Sequence, residues 1–232
     1  MDLFFLTDFE IQALRLSLQV SGWAVTCSLP PGIIAAWILA RFQFPGKKLV
    51  DGMLHLPLVL PPVVTGYVLL IVLGKKGLIG SLLYKTLGIT LAFNWKGAAF
   101  AAAVMAFPLL VRSVRLSIES IDQGLEFAAH TLGAGKFRVF FTITLPLMIP
   151  GMITGTILAF ARSLGEFGAT ITFVSNIQGE TQTLPLALYT LIQMPGGEQG
   201  ALKLCILSVI IAMTALILSE ILAKRFATYM EG

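Results

Sequence analysis

Charge is scarce in this sequence. Only 12% of its 232 residues are Asp, Glu, Lys or Arg, and 56% are hydrophobic. Ordinary soluble domains carry roughly 25% charged residues, so the shortage excludes a water-facing globule and indicates an integral membrane protein. Cysteine is as rare. Cys27 and Cys205 lie far apart in apolar runs, without metal-ligand spacing, so neither a disulfide framework nor a zinc site is expected. Both are taken as small core residues. Only two histidines occur, His55 and His130, far apart in sequence. No paired carboxylates, Ser/His dyad or ligand cluster falls within an apolar run, which argues against an intramembrane enzyme and against any catalytic or metal site. His55 is assigned a local hydrogen bond. Internal repeats and low-complexity segments are lacking too, against the pattern of many ion-coupled secondary transporters. The start, Met1 to Phe5, has no basic region and is followed by Asp8 and Glu10, so no cleavable signal sequence is expected.

What is present is apolar length. The chain has room for five or six spans of about 20 residues and none for a nucleotide-binding or soluble receptor domain. A single transmembrane domain over 1–232 is therefore expected. The first span covers about Ile11 to Ala40, with a kink at Pro30-Pro31-Gly32. The second, Asp51 to Gly74, contains Pro57, Pro61 and Pro62 and cannot be one straight helix. Leu78 to Leu87 has the spacing of a short interfacial helix, and Trp95-Lys96 marks a membrane boundary. The third span runs from Gly97 to about Ile118, with Arg112 and Arg115 snorkelling at its end. A fourth begins near Leu147 and carries Gly151 and Gly155 in a GxxxG. Phe167 to Val174 is either a sixth crossing or a short apolar piece. Ser175 to Gly200 is a polar loop whose section Leu184 to Met194 can dip back into the membrane. The last span is about Ala201 to Ala223.

One polar stretch interrupts this pattern. Residues 120–146 include Glu126-Phe127-Ala128-Ala129-His130-Thr131-Leu132-Gly133 and continue to Ile143-Thr144-Leu145-Pro146. Helix formers run up to Leu132, and Gly133 is a helix stop. A second helical run, Lys136 to Thr144, is expected to end at Pro146. Glu126 and His130, four apart, share a face, and Ala128 and Ala129 allow another surface to approach closely. If this loop is cytoplasmic, a five-span chain places Arg41, Lys47, Lys48, Arg112, Arg115, Lys136, Arg138, Lys224 and Arg225 inside, nine cations. Outside loops then hold four, Lys75, Lys76, Lys85 and Lys96, which obeys the positive-inside rule. The N-terminus faces outward and the C-terminus inward. The net charge of +4 is thus an orientation signal, and no nucleic-acid partner is expected.

The spacing of Ala128-Ala129, Gly133, Ile143 and Leu145-Pro146 resembles the EAA loop of ABC-importer permeases. The family glutamate stands directly before the two alanines, where this chain has Phe127; Glu126 sits one position earlier. The resemblance implies an all-α polytopic membrane protein of the type I ABC-importer permease fold, in a bacterial cytoplasmic (inner) membrane. It implies an ATPase-coupling loop of Glu126, Ala128, Ala129, Gly133, Ile143, Leu145 and Pro146. It further implies a homodimer embedded in lipid, two cytosolic ATPase subunits that bind ATP and Mg²⁺, and an extracytoplasmic oxyanion-binding protein. This chain would carry no cofactor, and transport would proceed by alternating access. Four stretches, 55–62, 138–146, 159–176 and 189–198, look most like permeases for molybdate. Those for sulfate, thiosulfate and tungstate are relatives with a similar Gly165-Glu166-Phe167-Gly168 section.

Arg162 and Glu166 lie among small residues of the fourth span. In one reading Arg162 offers positive potential to a passing oxyanion, with Ser163, Gly168 and Thr170 along the path. In the other, which we favour, the two side chains neutralise each other where the dielectric is low.

Overall fold

The computed structural model describes residues 6–231. The first five residues, from which a signal sequence was argued against, lie outside the described residues, as does Gly232.

Helix α1 (Asp8–Arg41) opens with a capping box. Thr7 Oγ1 accepts from the Glu10 N–H, and Glu10 Oε2 accepts from the Thr7 N–H at 2.7 Å. The kink expected at Pro30-Pro31 does not interrupt this helix. That turn is braced by α5 (Trp95–Glu119), whose Leu110 lies against Gly32. Between them, α2 (Lys47–Val59) and α3 (Pro62–Leu73) meet at 114°, with the break at Leu60-Pro61, as the proline content requires. Helix α4 (Leu78–Leu87) is the expected short helix, and Asn94 caps α5 by accepting from the N–H groups of Lys96 and Gly97.

The polar loop forms α6 (Gln123–Thr131), a turn, and α7 (Lys136–Val139). Here the structure corrects the sequence reading. The second run does not end at Pro146; α7 passes through a π-helical turn, Phe140–Thr144, into α8 (Leu145–Leu164). The Leu145 N–H reaches back five residues to the Phe140 carbonyl. Pro146 then lies inside a continuous helix, directly after the π turn, whose wider hydrogen-bond spacing accommodates a residue without an N–H.

Helix α8 crosses α5 closely. A Cβ on Gly151 would collide with Ser117 Cβ, and Ser113 Oγ donates to the Gly151 carbonyl at 3.0 Å. In lipid, where apolar side chains gain nothing by leaving solvent, such close approach and dispersion hold helices together. The core agrees: α5 buries Leu110, Val111 and Val114 with α1 and α8 in one cluster, and Ala98, Ala101, Ala102 and Met105 with α1, α3 and α9 in another.

Helix α9 (Gly168–Val174) has seven residues, about 10 Å of rise, and cannot cross a bilayer. The sixth crossing is thereby excluded. Among the described residues, four helices are long and apolar enough to cross, five if α2 and α3 count as one broken span. Helix α10 (Leu184–Gln193) is the segment expected to dip back. The stretch before it is not an ordinary polar loop: Thr181, Gln182 and Thr183 are buried, and the Leu184 N–H donates to Ser17 Oγ at 2.6 Å. The last helix, α11 (Glu198–Glu231), starts beside Glu10, whose carboxylate lies near Gly200. Both cysteines are exposed, not in the core; each faces outward from an apolar helix.

These contacts sort the chain into two faces. Arg41 at the end of α1 meets Glu126 in the loop, so α1 and α5 end on one face. The start of α1, the 175–183 segment and the start of α11 gather on the other.

Candidate functional site

The loop face is built first by its caps. Asp122 Oδ1 accepts from the Gly124 N–H at 2.8 Å and starts α6. At the other end, the Gly133 N–H bonds His130 O and the Ala134 N–H bonds Ala129 O, both at 3.0 Å. This is a Schellman closure. It needs a left-handed residue, and Gly133 supplies φ +86°. A Cβ there would meet nothing within 4 Å, so the glycine serves the turn and leaves open space above it.

Glu126 does not share its contacts with His130. Its Oε1 accepts from Arg41 Nη2 at 2.7 Å and from Thr144 Oγ1 at 2.6 Å, whereas His130 Nδ1 pairs with the Ala134 carbonyl at 2.9 Å. The glutamate thus points into the body. Ala128 is exposed and Ala129 half-buried. Leu125, Phe127, Leu132 and Phe137 stand out from the loop, Leu132 being 88% exposed. Ile143, Leu145 and Pro146 are half-buried at the root of α8. An exposed apolar crest on a capped polar loop is suited to receive another protein.

Beside it, Arg115 of α5 bonds Asp51 Oδ1 at 3.0 Å and Glu119 Oε1 at 2.7 Å, tying α2 to α5. His55 Nδ1 lies 2.8 Å from the Asp51 carbonyl, the local bond expected of it.

The second group lies at the far end of α8, about 26 Å along the helix from Leu145 at 1.5 Å per residue. Arg162 Nη1 is 2.7 Å from Glu166 Oε2. The other carboxylate oxygen accepts from the Ala169 N–H at 2.8 Å and so holds the start of α9. Ser163 Oγ is directed to Ala102 O at 3.5 Å and Thr170 Oγ1 to Phe167 O at 2.8 Å. Gly168 lies against Pro62 of α3. The geometry fits a neutralising pair: the carboxylate is buried and doubly held, and both hydroxyls are engaged with backbone.

Sequence reasoning did not single out Arg41, Thr144, Trp37 or Phe140. Arg41 entered only as a cation setting orientation, and its partner lies 85 residues away. No spacing rule reaches that far.

Among the described residues, four to five apolar crossings, a broken second span and a capped loop feeding the third long helix define a type I ABC-importer permease. The chain belongs to the family described as "Binding-protein-dependent transport system inner membrane component", whose model matches residues 29–230. It is a multi-pass inner-membrane protein. Among its relatives is the molybdenum transport system permease protein ModB of Escherichia coli (strain K12). The two are 65% identical over 219 residues, covering 94% of this chain and 96% of that protein. ModB of Haemophilus influenzae is 58% identical over 216 residues, covering 93% and 94%. The sulfate transport system permease protein CysT of Escherichia coli (strain K12) is 36% identical over 203 residues, covering 87% and 72%. The fold is shared with a bacterial ABC transporter involved in the import of alginate, at TM-score 0.75 and 18% identity, covering 95% of this chain and 81% of that one. An amino acid ABC transporter aligns at TM-score 0.64 and 18% identity, covering 94% of each chain.

Proposed function

We propose that this chain is the transmembrane, channel-forming subunit of an ATP-driven importer that moves molybdate by alternating access. The observation that carries the substrate is the 65% identity to a molybdenum permease over 94% of the chain, against 36% to a sulfate permease. Family membership sets aside the ion-coupled secondary transporter; tungstate and sulfate remain the alternative cargoes.

In this reading residues 1–232 are one transmembrane domain, and two copies form the pathway. The loop 120–146 faces the cytoplasm, as the excess of cations on its side supports. Its crest of Leu125, Phe127, Leu132 and Phe137 seats an ATPase subunit, with Ala128, Ala129 and Gly133 allowing close approach. ATP and Mg²⁺ belong to the two ATPase subunits and hydrolysis occurs there. An extracytoplasmic binding protein delivers the oxyanion to the opposite face, near the start of α1. ATP can shift the inward–outward equilibrium only by binding one state better than the other, and the loop conveys that difference. At the far end of α8, Arg162 and Glu166 neutralise each other beside the path. A tight anion site there would slow exit, so selectivity resides mainly in the binding protein.

Cells lacking this chain are expected to lose molybdate accumulation at nanomolar supply and to keep sulfate uptake. Unchanged molybdate accumulation would reject the assignment. For orientation, a cysteine at Lys85 or Gln199 should react with an impermeant thiol reagent from outside, and one at Lys136 should not; the reverse pattern would invert the topology.

A further inference from the structure

Helix α6 buries none of its residues against the bundle, so its own packing does not fix its orientation. What does is a closed ring of five side chains on three elements. Glu126 of α6 accepts from Arg41 of α1 and from Thr144 of the π turn. The Arg41 guanidinium lies over the Trp37 ring, 5.6 Å from its centroid. Trp37 meets Phe140 edge to face at 5.1 Å, and Phe140 and Thr144 bound the same π turn. The Arg41 and Glu126 side chains are only 13% and 19% exposed, so water screens their attraction less than on an open surface. The Arg41 Nε–H is buried without an acceptor. Among the described residues, the carboxylate and the indole are the contacts that hold that guanidinium.

We propose that Glu126, Arg41 and Thr144 are positioning residues of the transport cycle, fastening α6 to both α1 and the root of α8 so that all three move together. On this assignment Glu126 is not an ATPase contact. It fixes the angle at which the crest of α6 is presented, and it makes α1 part of the moving body rather than a passive lipid-facing strap. The inference rests on the loop being the ATPase-docking element.

The test uses the complete transporter, with its ATPase and binding protein, in sealed vesicles. Molybdate is the probe, and the readout is uptake per ATP hydrolysed. Glu126→Gln keeps the shape of the side chain and removes its charge. It should lower that ratio about tenfold, the effect of losing a shielded charged hydrogen bond, while the complex still assembles and hydrolyses ATP. Thr144→Val leaves the ion pair in place and should lower the ratio about threefold. Arg41→Glu alone should match Glu126→Gln or exceed it. Arg41→Glu combined with Glu126→Arg should recover the ratio to about half of the original, since the threonine hydroxyl can accept from an arginine as well as donate to a carboxylate. A role limited to stability would lower the amount of transporter and leave the ratio alone, and that outcome overturns the proposal. So does an unchanged ratio in Glu126→Gln, or a reversed pair no better than the worse single variant. If Glu126→Gln fails to assemble, an unchanged ratio in Thr144→Val overturns it instead. If the unaltered transporter moves no molybdate with ATP, the functional reading fails, and that result is distinct from any of these.

Discussion

Both ends of α8 are served by an arginine–glutamate pair at 2.7 Å, and the two pairs do different things. Arg162 and Glu166 are four residues apart, and the carboxylate is 1% exposed. That pair is local: it cancels charge where charge is expensive and holds the first turn of α9. Arg41 and Glu126 are 85 residues apart, and each is partly shielded. That pair is a fastening between elements. The first protects the stability of the span. On the proposal above, the second protects an angle.

This contrast can be broken in order of expected effect. The largest should come from Arg162→Ala, which strands a buried carboxylate and should cost about 3–5 kcal/mol. Membrane abundance and thermal unfolding would show it. Arg162→Ala together with Glu166→Ala should lie closer to the unaltered protein, because no buried charge is left alone. A double variant worse than the single would mean that the pair does more than neutralise. Next comes Gly133→Val at the other end. A β-branched residue at positive φ costs about 1–3 kcal/mol, and it falls on the Schellman turn, away from the spans. Near-normal membrane abundance with lost ATPase association or uptake is expected; normal uptake would remove the docking role of the loop. The smallest effect should come from Leu82→Val in α4, on the opposite face. Leu82 is 60% exposed, and the change should stay within about 0.5 kcal/mol with uptake intact. Its neighbour Leu83 packs on the core and would be a poor control.

The same contrast marks where sequence reasoning stops. Arg162–Glu166 was legible because i,i+4 spacing puts two side chains on one helical face. Gly133 was legible because few residues other than glycine close a helix in the left-handed region, and the break near Pro61-Pro62 because proline donates no hydrogen bond. The polytopic helical class followed from apolar length and scarce charge, and the type I permease fold from the resemblance carried by residues 120–146. Arg41 and Thr144 were not legible, since their partner is set by how α1, α6 and α8 converge, and no local pattern encodes that. The continuation through Pro146 was missed for a related reason. A proline was taken as a stop, while a single π turn shifts the hydrogen-bond register and carries the helix through it. Cys27 and Cys205 were misplaced because an apolar run in a membrane protein has two apolar sides, and periodicity alone does not tell lipid from core.

The two short helices between α8 and α11 bear on how the chain is made. A translocon passes segments of about 20 apolar residues sideways into lipid, and neither seven nor ten residues meets that length. Left in hydrocarbon alone, each would expose unpaired backbone groups at both ends. Their partners come from elsewhere: Ser17, made 167 residues earlier, accepts the Leu184 N–H, and α3 supplies the wall against which α9 lies. The stretch from Gly165 to Gly197 therefore has nowhere to settle until the earlier spans have assembled, and α11 emerges behind it. Helix α9 is seated by α3 and α5, and α10 by α1 and by α11, which is made after it, so insertion of this protein is expected to end with a folding step inside the membrane that waits for the last helix.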